Sequence, residues 1–165
     1  MVNGTGLVLL WVGRFNVAGP GRDLAKRFQA AIAREQDERK EAEQAKEKRI
    51  VEALEARETL LKDLREVLAM IGGIDFEGVE DGGFACTYNG VTVTFRPKGQ
   101  GDKVEVEWRA DRPSRGFTHT LYREAELGGR WVYQRQRPGQ DDRWALFDAG
   151  LERILVDGLG LPEPG

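Results

Sequence analysis

Residues 84–95 read Phe84-Ala85-Cys86-Thr87-Tyr88-Asn89-Gly90-Val91-Thr92-Val93-Thr94-Phe95. Asn-Gly between two alternating runs marks a two-residue hairpin of type I′, because both turn residues need positive φ. Such a turn sets Tyr88 opposite Val91, Cys86 opposite Val93 and Phe84 opposite Phe95. All six then share one face, with Ala85, Thr87, Thr92 and Thr94 on the other. Turn chemistry and hydrophobic pattern reach this register independently. A slip of one residue would carry every apolar side chain to the wrong face.

Alternation continues downstream. Val104, Val106 and Trp108 oppose Glu105, Glu107 and Arg109; Phe117, His119 and Leu121 oppose Thr118, Thr120 and Tyr122; Trp131 and Tyr133 oppose Val132 and Gln134. Turns rich in Gly, Pro or charge separate these runs. The expectation is a five-stranded antiparallel β-meander over about 84–135, apolar on one face and rich in Thr and charge on the other. After Pro138-Gly139-Gln140, Asp141 or Asp142 is read as the cap of a C-terminal helix over about 142–157. Phe147, Leu151, Ile154 and Leu155 form its apolar stripe, with Trp144 near its start.

Upstream, residues 23–71 contain no Gly or Pro, which predicts one long helix. It has three zones. Leu24, Phe28 and Ile32 make a short apolar face. Residues 34–49 carry no hydrophobe larger than Ala, and pairs such as Glu35–Arg39 and Lys48–Glu52 sit at i,i+4, the reading of a solvated rod. From Ile50 a seam of Ile50, Leu54, Arg57, Leu61, Leu64, Leu68 and Ile71 steps by four and three. Arg57 alone interrupts it, and Leu60 and Val67 widen it toward a sheet-covering face. Gly72-Gly73 closes the helix. The acidic residues 74–83 read as a solvated connector; their spacing does not match a calcium loop.

The expected fold is therefore α+β: a long N-terminal helix, and a meander covered on one face by the helix C-terminal half and a terminal helix. Its parts are an apolar arm or strand at 1–22, a projecting charged helix at 23–49, and an α+β domain at 50–165. Gly19-Pro20-Gly21 lacks the spacing of a dinucleotide fingerprint, since Leu24 stands where its third Gly belongs, and reads as a turn before the helix.

Composition narrows the function classes. The chain has 165 residues and a net charge of −3, which argues against indiscriminate polyanion binding. One Cys and one His exclude a disulfide framework and a Cys/His zinc site within one chain. No metal or cofactor is expected. The apolar run at 6–13 is far short of the ~20 residues of a membrane span, and no basic segment precedes it as in a secretory signal. The expected location is the cytoplasm.

Candidate chemistry is sparse. Ser114 and His119 lack the orienting acid and the nucleophile elbow of a hydrolase, and no catalytic residue is assigned. Cys86 points inward as a structural thiol. Arg109, Arg112, Arg115, Tyr122 and Arg123 make a candidate surface for a partner or nucleic acid, because Arg beside an exposed aromatic on a sheet suits single strands. Glu105, Glu107, Glu124, Asp141 and Asp142 on the same elements favour a mixed-charge solvated face instead. Leu24, Phe28, Ile32, Ile50, Leu54 and Leu61 are the candidate helix-association seam. Trp108, His119, Trp131 and Tyr133 are a candidate pocket, or else an ordinary aromatic core.

The resulting expectation is a non-enzymatic interaction or assembly protein. Its long helix would mediate self-association or partner binding, and its α+β body would act as a binding module. The expected partner is a protein or a second copy of the chain, ahead of nucleic acid. The alternatives are nucleic-acid association through the Arg-rich sheet, and a ligand cavity between sheet and helices.

Overall fold

The computed structural model describes residues 19–109, 117–124 and 128–165. Residues 1–18 of the arm expected at 1–22, together with Arg112, Ser114 and Arg115, lie outside the described residues, and residues 19–22 are helical. The chain divides into two units, Met1–Ala45 and Lys46–Gly165. Helix α1 spans Gly19–Ile71, 53 residues. It begins four residues before the expected start. Pro20 is compatible with this, because the first N–H groups of a helix have no partner within it and Pro presets a helical φ. Gly72 and Gly73, at φ 76° and 69°, end it in the left-handed region that a side chain would disfavour.

In the first unit the helix is solvated on all sides from Arg22 onward. Arg39 pairs with Glu35 at 2.6 Å, an i,i+4 contact of a few tenths of a kcal/mol.

The second unit holds the sheet. The sheet has seven strands rather than five, all antiparallel and in sequence order: β1 Asp75–Gly78, β2 Phe84–Tyr88, β3 Val91–Lys98, β4 Lys103–Arg109, β5 Thr118–Glu124, β6 Arg130–Arg137 and β7 Gln140–Ala145. The five expected strands are β2 to β6. The hairpin register is as read from the sequence, Tyr88↔Val91, Cys86↔Val93 and Phe84↔Phe95, with Asn89 and Gly90 at φ 48° and 80°.

Both additional strands are edges. In the segment expected to be a connector, β1 pairs with β2 and turns Phe76 toward the core. Where a helix cap was expected, β7 pairs with β6 through a two-residue turn at Pro138-Gly139. Gly139 sits at φ 80°, as the third position of a type II turn requires. Asp141 and Asp142 are therefore strand residues. The C-terminal helix shrinks to a π turn at Leu146–Gly150, one α-helical turn at Leu151–Arg153 and a second π turn at Ile154–Gly158. Non-helical angles at Phe147 and Asp148 break its start, and Phe147 is exposed instead of joining the stripe.

One face of the sheet is buried. Leu60, Leu61, Leu64 and Leu68 of α1, with Leu146, Leu151, Ile154 and Leu159, pack on Phe84, Val93, Phe95, Val104, Val106 and Leu121. The interruption of the seam at Arg57 has a structural cause. Its guanidinium donates to the carbonyl of Lys98 at 2.8 Å, tying the β3–β4 turn to the helix. Gly101 of that turn, at φ 97°, lies so close to α1 that a Cβ there would come within 2.5 Å of the Ala53 carbonyl carbon. A polar side chain and a glycine thus hold the turn where the apolar seam leaves off. Among the described residues no helix is long and apolar enough to cross a membrane.

Candidate functional site

The outer sheet face alternates polar side chains because every second residue must point away from the core. On it three cations are matched by anions. Arg96 bonds Glu107 at 3.1 Å, Lys98 pairs with Glu105 at 3.2 Å, and Arg143 pairs with Asp141 at 2.7 Å. The hydroxyl of Tyr122 donates to Glu124 at 3.0 Å, and Arg143 lies 6.0 Å over the Tyr122 ring. Tyr122 and Arg123 are strand neighbours and take opposite faces. Arg123 donates instead to the Gly129 carbonyl at 3.2 Å, in the β5–β6 turn. Arg109 ends β4 at a position on the Tyr122 side. The candidate nucleic-acid set is therefore not gathered on one face among the described residues.

The helix seam separates into two kinds of residue. Leu24, Phe28 and Ile32 are 52%, 62% and 53% exposed, in the first unit. In the second unit Ile50 and Leu54 are half-buried and Leu61 is buried in the core.

Three of the four candidate pocket residues, Trp108, His119 and Tyr133, meet. Trp108 stacks on His119 with ring centres 3.9 Å apart, and the Nδ1 of His119 shares a hydrogen bond of 2.8 Å with the Tyr133 hydroxyl. Tyr133 stacks in turn on Trp144 at 5.4 Å. This diagonal crosses β4, β5, β6 and β7 on the core side. Trp131 lies two residues before Tyr133, half-buried against the core. The residue that sequence reasoning missed is Trp144. Its signal was the Pro-Gly turn, which places it opposite Tyr133.

Arg135 borders this stack. It lies 5.0 Å over Phe117 and 5.3 Å over Trp144, and pairs with Asp142 at 3.0 Å and Asp157 at 3.7 Å. Its hydrogen bond holds the Asp142 carboxyl below the usual range. Burial and then the Arg135 charge push His119 down to about 4, with Asp157 opposing, so the imidazole is neutral at physiological pH. Burial raises the Tyr133 phenol. Burial also raises the Cys86 thiol to about 11, despite its contact with the Val93 carbonyl, which keeps it protonated and a poor nucleophile.

A notch opens beside the stack. The β4–β5 ladder pairs Lys103↔Tyr122, Val104↔Leu121 and Glu105↔Thr120, and there it stops. Beyond that point β4 stays paired with β3, and β5 with β6. A cavity of about 330 Å³ lies there, lined by residues 105–108 and 117–119. No cluster of His, Cys, Asp and Glu fit to hold a metal ion occurs among the described residues. Comparison of the chain with protein families, curated proteins and solved structures gives no match.

Proposed function

We propose that this chain is a non-enzymatic assembly protein that associates with a second copy of itself through the first part of helix α1. The observation that carries the reading is the stripe of Leu24, Phe28 and Ile32, three large apolar side chains each more than half exposed on one helical face. Their i,i+4 spacing stacks them on that face. Isolated helical segments without tertiary packing are marginal in water, so a helix of this kind gains most from a partner.

Charge favours a second copy as that partner. Residues 23–71 hold 11 basic and 12 acidic side chains, so two such helices side by side meet little net repulsion. The α+β body then serves as the module that the helix assembles.

Hydrogen exchange on the full-length chain tests this. Backbone amides of residues 24–40 are expected to be protected at high protein concentration and to lose protection on dilution. They are expected to lose it at all concentrations when Leu24, Phe28 and Ile32 are replaced together by Ser. Exchange in that segment that ignores both dilution and the triple replacement would refute self-association.

A further inference from the structure

The second unit carries an open apolar surface of its own. A groove of about 380 Å³ lies between the last residue of α1 and the C-terminal segment, lined by Ile71, Phe147, Leu155, Val156 and Leu161. Two local features build it. Non-helical angles at Phe147 and Asp148 take Phe147 off the buried stripe and leave it exposed, as Ile71 is. The N–H of Leu161 donates to the Leu155 carbonyl at 3.0 Å, which brings the end of the chain back along the preceding turns. Pro162 and Pro164, whose rings fix φ, then complete the lining. Exposed apolar patches framed by charge mark interaction sites.

The charges of the groove select what it takes. Its only charged lining residues are two acids, Asp148 and Glu152. Residues 147–164 as a whole hold four acids, Asp148, Glu152, Asp157 and Glu163, against one base, Arg153. Arg153 is turned to the Trp144 ring, 6.0 Å away. The groove therefore suits an apolar segment with a basic flank.

The first part of α1 has that chemistry. Leu24, Phe28 and Ile32 are exposed on one helical face. Ala25 and Ala31 lie beside them, small enough to let the helix sit low in a groove. Arg27 and Arg34, a heptad apart, run along one flank of the stripe. Although α1 is nearly neutral over its length, residues 19–34 hold four bases, Arg22, Lys26, Arg27 and Arg34, against the single acid Asp23. Two such ends set stripe to stripe would bring like charges together. Set in the groove, the same end meets acids, and an amphipathic helix in an apolar groove is a recurring mode of recognition.

We infer that the groove beside Phe147 is the surface on which a second copy of the chain docks the Leu24–Phe28–Ile32 stripe of its helix. This rests on the self-association proposed above and names the surface that receives the stripe.

The test is a complementation by sedimentation of full-length chains. One variant, Phe28→Glu, loses the stripe and keeps the groove; the other, Phe147→Glu, loses the groove and keeps the stripe. Each alone is expected to self-associate at least about tenfold more weakly than the native chain, as loss of an apolar anchor does. Their equimolar mixture is expected to form a one-to-one complex, because the intact stripe of one meets the intact groove of the other. If Phe147→Glu does not fold, the exposed pair Asp148→Lys with Glu152→Lys replaces it in the same mixture. A groove variant that associates as tightly as the native chain would overturn the inference and leave stripe-to-stripe association standing. A mixture no more associated than its components would overturn it too. A native chain that is itself monomeric would instead fail the self-association on which the inference rests, and the inference with it.

Discussion

Two stretches of the same helix carry apolar residues at the same spacing and meet opposite fates. Leu24, Phe28 and Ile32 stand more than half exposed, whereas Leu60, Leu64 and Leu68 are sealed in the core. Helical periodicity states which side chains share a face. It does not state what covers that face. In the second unit the cover is the sheet, and the leucines repay burial with ~1.5–3 kcal/mol each. The stripe in the first unit has no such cover among the described residues, and this contrast motivates the assembly reading.

The largest expected effect breaks the buried side of the contrast. Leu64→Ala or Leu68→Ala should cost about 2–5 kcal/mol in urea unfolding, because each leaves a cavity under the sheet. A cost near that of a surface change would mean that the helix is not part of the core.

Next comes a pH effect. His119 titrates at about 4 when folded and near 6.5 when unfolded, so between these values the unfolded chain binds more protons. The stabilisation from keeping His119 neutral is complete above pH 6.5 and is lost as pH falls toward 4, on the order of 1–3 kcal/mol. His119→Gln should flatten the difference in urea midpoint across that window. Parallel curves for the two proteins would contradict it.

Gly101→Ala should follow, at about 1–3 kcal/mol. Its positive φ and the approach of Ala53 leave no room for a Cβ. Arg57→Ala, which releases the Lys98 carbonyl, should cost about 1 kcal/mol by thermal unfolding. If both are silent, the β3–β4 turn is not held to the helix as described. Smallest of all, Ser at positions 24, 28 and 32 should change the urea stability of the second unit by about 0.5 kcal/mol or less. A large change would show the stripe to be part of a core after all.

The same contrast explains what the sequence made legible. The hairpin at Asn89-Gly90 and its register were readable because turn and pattern agree on one answer. The strands β4 and β6 followed, since each puts two or more apolar side chains on the core side, and β5 followed from Leu121 and His119 with Phe117 just before it. The edge strands did not announce themselves. Only Phe76 of β1 and Trp144 of β7 are apolar among their core-facing positions, and the remainder is largely charged, as edges commonly are. Asp141 and Asp142 suit a helix cap as well as a solvated strand, and Pro138-Gly139 decides between them only when read as a hairpin turn.

The meeting of Trp108, His119 and Tyr133 was legible from alternation alone. Their stacking order was not, nor was the end of the β4–β5 ladder. Those depend on the twist of the sheet and on Trp144, whose strand had not been read. The Arg-rich set shows the reverse limit. Tyr122 and Arg123 are neighbours in sequence, and alternation alone puts them on opposite faces.

The measurement closest to the central claim is the mass of the full-length chain by sedimentation equilibrium, beside a Phe28→Glu variant. The native chain is expected at twice the monomer mass or more, dissociating on dilution, and the Phe28→Glu chain at the monomer mass with an unchanged far-ultraviolet spectrum of its sheet. A native chain that stays monomeric at every concentration, or a variant that associates as the native chain does, would contradict it.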